Sequence, residues 1–122
     1  MNAEVVYESP DTRVIVTDNP LELPRAGQYN TAQREVVGEK VRIFNHYYWP
    51  PLDFKAEIWV YPRPRSVEVQ TNWEPEWTYL CDMRIKSTTT VTVVVVLNGV
   101  IHEIIHVIPV PTRRRGWRRV AK

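Results

Sequence analysis

The sequence predicts an all-β fold, an antiparallel sandwich, jelly roll or small barrel of about eight strands. Three features carry that expectation. Apolar and polar residues alternate with period two along several segments, ten Pro and only four Gly punctuate the chain, and an Asn98-Gly99 pair separates two β-branched runs. Alternation is what a half-buried strand requires, because successive side chains point to opposite faces of a sheet. With 122 residues, 43% of them hydrophobic and 25% charged, the chain is long enough for one core and too short for two. Residues 1–111 therefore read as a single β domain and residues 112–122 as a basic C-terminal arm.

Taken in order, Glu4 to Glu8 and Thr12 to Thr17 are the first β-rich runs, parted by Pro10. Leu21 to Gly38 reads as a long connection holding a short helical turn around Thr31 to Val37. Lys40 to Trp49 is the next strand, closed by Pro50 and Pro51. In Phe54 to Tyr61 the apolar set Phe54, Ala56, Ile58 and Val60 alternates with Lys55 and Glu57. Ser66 to Thr71 follows, then Trp77 to Lys86, which places Trp77, Tyr79, Cys81, Met83 and Ile85 on one face. Thr89 to Leu97 and Val100 to Ile108 are the last runs.

Asn98-Gly99 predicts a two-residue hairpin, since both residues tolerate the positive φ of a type I′ turn. Counting outward pairs Leu97 with Val100, Val95 with His102, Val93 with Ile104 and Val91 with His106. Val96 with Ile101 and Val94 with Glu103 then fall on the opposite face. Val93 to Leu97 is apolar on both faces, so it needs cover on two sides, and another subunit is expected to supply one of them.

Charge is unevenly spread. After Glu103 there is no acid, whereas Arg113, Arg114, Arg115, Arg118, Arg119 and Lys122 supply six cations, leaving residues 1–103 at −4 in a chain whose total is +2. Guanidinium groups pair bidentately with carboxylates or phosphates, and Trp117 gives the arm an apolar anchor. Arg113, Arg114, Arg115, Trp117, Arg118 and Arg119 are thus the expected partner-binding residues. Cys81 is the single cysteine, which excludes an intramolecular disulfide, reads as an inert core thiol and fits cytoplasmic synthesis. No secretion signal is read at the N-terminus, and the apolar stretch 91–110 contains Asn98, His102, Glu103, His106 and Pro109, which disfavours a membrane span.

His102-Glu103-Ile104-Ile105-His106 resembles the HExxH string of the zincin metalloproteases. That resemblance implies a zinc ion held by His102 and His106, with Glu103 as general base. In that family the string lies on a helix, where a spacing of four puts both imidazoles on one face. Here β-branched neighbours and Pro109 and Pro111 favour a strand, on which residues four apart are separated by roughly 13 Å. No His or carboxylate follows His106 as a third ligand, so neither catalytic nor metal-binding residues are assigned and no cofactor is expected.

Aromatic residues recur at Tyr47, Tyr48, Trp49, Trp59, Tyr61, Trp73, Trp77 and Tyr79. With the arm they could form a stacking platform on an OB-like barrel that binds single-stranded nucleic acid, although Trp and Tyr equally fill cores and interfaces. The expectation that best covers these features is a non-enzymatic structural or assembly subunit, a homo-oligomer or part of a larger assembly. Its setting would be a virion component such as a phage capsid-decorating, neck or tail protein. The nucleic-acid-binding barrel and a small zinc protease are the alternatives.

Overall fold

The computed structural model describes residues 3–23, 27–45, 47, 50–70 and 79–110, with the backbone alone at 28–30 and 79. Within them run β1 (Glu4–Glu8), β2 (Thr12–Val16), β3 (Gly27–Val37), β4 (Lys40–Phe44), β5 (Ala56–Tyr61), β6 (Ser66–Gln70), β7 (Tyr79–Lys86), β8 (Val91–Leu97) and β9 (Val100–Ile108). The only helical element among the described residues is a 3-10 turn at Pro20–Glu22, capped by the Asn19 side chain accepting from the Leu21 N–H.

The strands form two open sheets and no closed barrel, a six-stranded one in the order β1-β2-β5-β8-β9-β3 and a three-stranded one in the order β4-β7-β6. β5 and β8 occupy the middle of the larger sheet because they are the strands apolar enough to be covered on both faces. One buried cluster draws Val14, Ile58, Val93, Val95 and Ile105 from the larger sheet and Val41, Ile43, Cys81, Met83 and Ile85 from the smaller. The inner faces of the two sheets therefore share a core, each fully buried aliphatic side chain contributing roughly 1.5–3 kcal/mol relative to exposure.

Three expectations are corrected. The sheets are not wholly antiparallel, since β2 pairs with β5 and β3 with β9 in parallel. Alternation records which face a residue takes and carries no information about strand direction. Leu21 to Gly38 is not mainly a connection, because residues 27–37 form β3, the longest strand, and Thr31 to Val37 is extended rather than helical. Its polar side chains gave no strand signal, and pairing with β9 overrides local propensity.

Finally, the chain itself covers both faces of the last hairpin. Val93, Val95 and Leu97 lie in the inter-sheet core, while Val94 and Val96 join Ile15 and Trp59 in a second buried cluster flanked by Leu23, Tyr61 and Ile101. On that outer face the cross-strand partners Val5, Ile15, Trp59, Val94 and Ile104 run in one line across five strands, ending at Gln33 on β3. Another subunit is therefore not required over Val93 to Leu97.

Candidate functional site

β8 and β9 turn at Asn98 and Gly99, whose φ angles are 50° and 80°. Asn98 also fixes the start of β5, its side-chain oxygen accepting from the Lys55 N–H at 2.7 Å and its own N–H donating to the Lys55 carbonyl at 2.8 Å. From the turn, Leu97 faces Val100 and Val96 faces Ile101, but Val95 then faces Glu103, which leaves His102 as the extra residue of a β-bulge. Every pair beyond it is displaced by one from a simple count, giving Val93 with Ile105 and Thr92 with His106.

The bulge turns Glu103 inward. It shares a face with Val95 and with Ala32 of β3, and is only 7% exposed, whereas a regular register would have aimed it at solvent or a neighbour. A carboxylate so placed needs a charged donor. Arg34 supplies it, donating from Nε to Glu103 Oε2 at 2.6 Å, and its Nη2 donates to the Arg42 carbonyl of β4. One guanidinium thus ties β3 and β9 to the other sheet.

The HExxH string consequently lies on a strand with its three polar groups in three surroundings. The His102 ring stands 5.4 Å from Tyr47, which itself stacks edge-on to Phe54 at 5.9 Å. Glu103 is engaged by Arg34, and His106 Nε2 lies 3.4 Å from Gln33 Oε1 beside β3. Among the described residues no cluster of three or more His, Cys, Asp or Glu is arranged to hold a metal.

The remaining sequence candidates are dispersed. Cys81 is wholly buried, and burial, with Asp82 beside it, pushes its thiol up to about 12. Tyr47 packs against the inter-sheet core, whereas Trp59 and Tyr61 belong to the outer cluster, so these aromatics form no common platform. Tyr48, Trp49, Trp73 and Trp77 lie outside the described residues, as do Arg113, Arg114, Arg115, Trp117, Arg118 and Arg119. No helix among the described residues is long and apolar enough to cross a membrane.

A feature that the sequence reading passed over is the outermost strand, β1. Val5 is 47% and Val6 39% exposed, although both are β-branched and apolar. The register slips between Val5 and Tyr7, so Val6 is a bulge residue, and the signal for it was the unbroken apolar run Val5-Val6-Tyr7 where alternation should hold. Acids surround the strand. Residues 3–22 contain Glu4, Glu8, Asp11, Asp18 and Glu22 against one cation, Arg13, which pairs with Glu8 at 2.7 Å. Arg63, from the loop after β5, reaches Glu4 at 2.7 Å and Asp18 at 3.8 Å. An apolar edge set in net negative charge is therefore the most distinctive surface of the larger sheet.

No family model matches the sequence, and no curated protein or solved structure matches the chain.

Proposed function

We propose that the domain is a non-enzymatic assembly subunit, a two-sheet sandwich whose C-terminal arm grips the β1 edge of a neighbouring copy. The observation that carries this reading is the exposure of Val5 and Val6 on an outermost strand bordered by Glu4 and Glu8. An edge strand presents backbone N–H and C=O groups along its open side, a template for an added strand. The arm supplies matching chemistry, with Trp117 for the valines and Arg113, Arg114, Arg115, Arg118 and Arg119 for the acids. Exposed ion pairs are individually weak, so the indole provides most of the affinity and the guanidinium groups provide orientation.

An arm that leaves one copy and docks on the next makes a head-to-tail contact, which closes into a ring or continues as a filament according to the rotation between copies. Virion components such as phage capsid-decorating, neck or tail proteins suit such a contact. Light scattering on size-separated protein tests it. Trp117→Ala is expected to reduce the assembled fraction more than Arg113→Ala, Arg114→Ala and Arg115→Ala combined, and Val5→Lys with Val6→Lys to abolish it. A chain that assembles normally without residues 112–122 would reject the reading.

A further inference from the structure

The outer face of the three-stranded sheet combines cations in a way that the assembly reading does not use. Val41, Ile43, Cys81, Met83 and Ile85 point into the core, so Lys40, Arg42, Phe44, Asp82, Arg84 and Lys86 face away from it. Register sets them in rows, with Lys40 opposite Arg84 and Arg84 opposite Glu68, then Arg42 opposite Asp82 and Asp82 opposite Gln70. Arg42 is taken up by Asp82, its Nε lying 2.9 Å from Oδ1. Lys40, Arg84 and Lys86 have no ion-pair partner among the described residues, and like charges directly opposite one another destabilise a sheet. An open groove crosses these rows between Lys40 and Gln70.

We infer that this face binds single-stranded nucleic acid, with Lys40, Arg84 and Lys86 on successive phosphates and Phe44 stacking on a base. Cross-strand neighbours stand about 5 Å apart and residues two apart on a strand about 6.7 Å, so the three cations form a spread array. Such an array matches a chain of anions better than one ion. The Phe44 ring, 40% exposed on the same face of β4, adds the aromatic surface that separates nucleic acid from a bare polyanion. The site shares no residue with the C-terminal arm or with β1, so it stands or falls independently of the assembly reading.

The test is fluorescence anisotropy of a labelled oligothymidylate titrated with the full chain over a salt series, with inorganic polyphosphate as a competitor that has no bases. Replacing Lys40, Arg84 and Lys86 together with Ala is expected to lower affinity at least tenfold and to reduce the logarithmic salt slope by about 2, the value for three single-strand phosphates. Phe44→Ala is expected to weaken oligothymidylate about tenfold, the scale of one stacked base, and to leave polyphosphate unchanged. Glu68→Gln removes the acid facing Arg84 and should tighten binding, a gain that misfolding cannot produce. The inference is overturned if no binding is seen, or if Arg113→Ala, Arg114→Ala and Arg115→Ala abolish it while the sheet-face variants leave it intact. Equal loss of both ligands in Phe44→Ala would also overturn it.

Discussion

The middle and the margins of the six-stranded sheet solve different problems. β5 and β8 are buried on both faces, and their identity resides in aliphatic side chains that supply two clusters at once. β1 and β3, the outermost strands, hold their places by other means. β1 is a short hairpin partner of β2 with its valines left in water, and β3 is polar, docked on β9 and clamped by Arg34. The centre therefore determines whether the chain folds. Within this sheet the margins determine what a partner can reach, because among its strands β1 and β3 are the ones that leave a backbone edge and exposed valines, Val5, Val6 and Val37, open.

Substitutions can break or sharpen that contrast. Ile58→Ala at the centre should have the largest effect, about 3–4 kcal/mol in denaturant unfolding, because Ile58 is fully buried in the shared core. Arg34→Ala should cost about 1–3 kcal/mol, since it strands the Glu103 carboxylate, whose side chain is 9% exposed. Replacing Arg34 and Glu103 together with Leu should recover most of that loss if the pair's cost lies in desolvation. Asn98→Ala should cost about 1–2 kcal/mol and Asn98→Gly less, because glycine keeps the positive φ and loses only the side-chain acceptor for Lys55. At the margin, Val5→Ala should change stability by less than about 0.5 kcal/mol, a value typical of exposed sites.

Cys81 adds a pH test of the centre. Its folded-state pKa, pushed up to about 12, exceeds the ordinary value of 9.0, so between these the unfolded chain releases a proton that the folded chain retains. The thiol's contribution is therefore present below pH 9 and is lost as pH rises towards 12. By pH 10 the wild type should lose about 1 kcal/mol relative to Cys81→Ala. Equal alkaline slopes for the two proteins would contradict this, and rapid labelling of the native thiol at neutral pH would contradict its burial.

What could be read from residue order follows the same division. The alternating run from Trp77 to Lys86 has a matching strand at Tyr79–Lys86, where burial of one face imposes period two on composition, and the run from Phe54 to Tyr61 has one at Ala56–Tyr61, although Trp59 on its other face is buried as well. β3 was illegible because Gln33, Arg34 and Glu35 satisfy no apolar pattern, their strand being specified by a partner about seventy residues away in sequence. Strand direction was illegible for a simpler reason, that alternation is the same whichever way a neighbour runs. At the bulge, a one-residue slip at His102 reversed the faces assigned to Glu103 and His106, as period two dictates. Counting from the turn could not anticipate it. The arm residues proposed from sequence lie outside the described residues, and the exposure of Val5 and Val6, from which their docking surface is proposed, emerged only when β1 was seen at the edge.

The central claim is that the arm of one copy docks on β1 of another, and photo-crosslinking from position 117 tests it most directly. A benzophenone amino acid in place of Trp117, in an equal mixture of isotopically light and heavy chains, reports both the target and whether it lies on a different molecule. The account predicts crosslinks between light and heavy chains that map to Glu4–Glu8 and disappear with Val5→Lys and Val6→Lys. Crosslinks confined to single chains, or mapping away from β1, would contradict it.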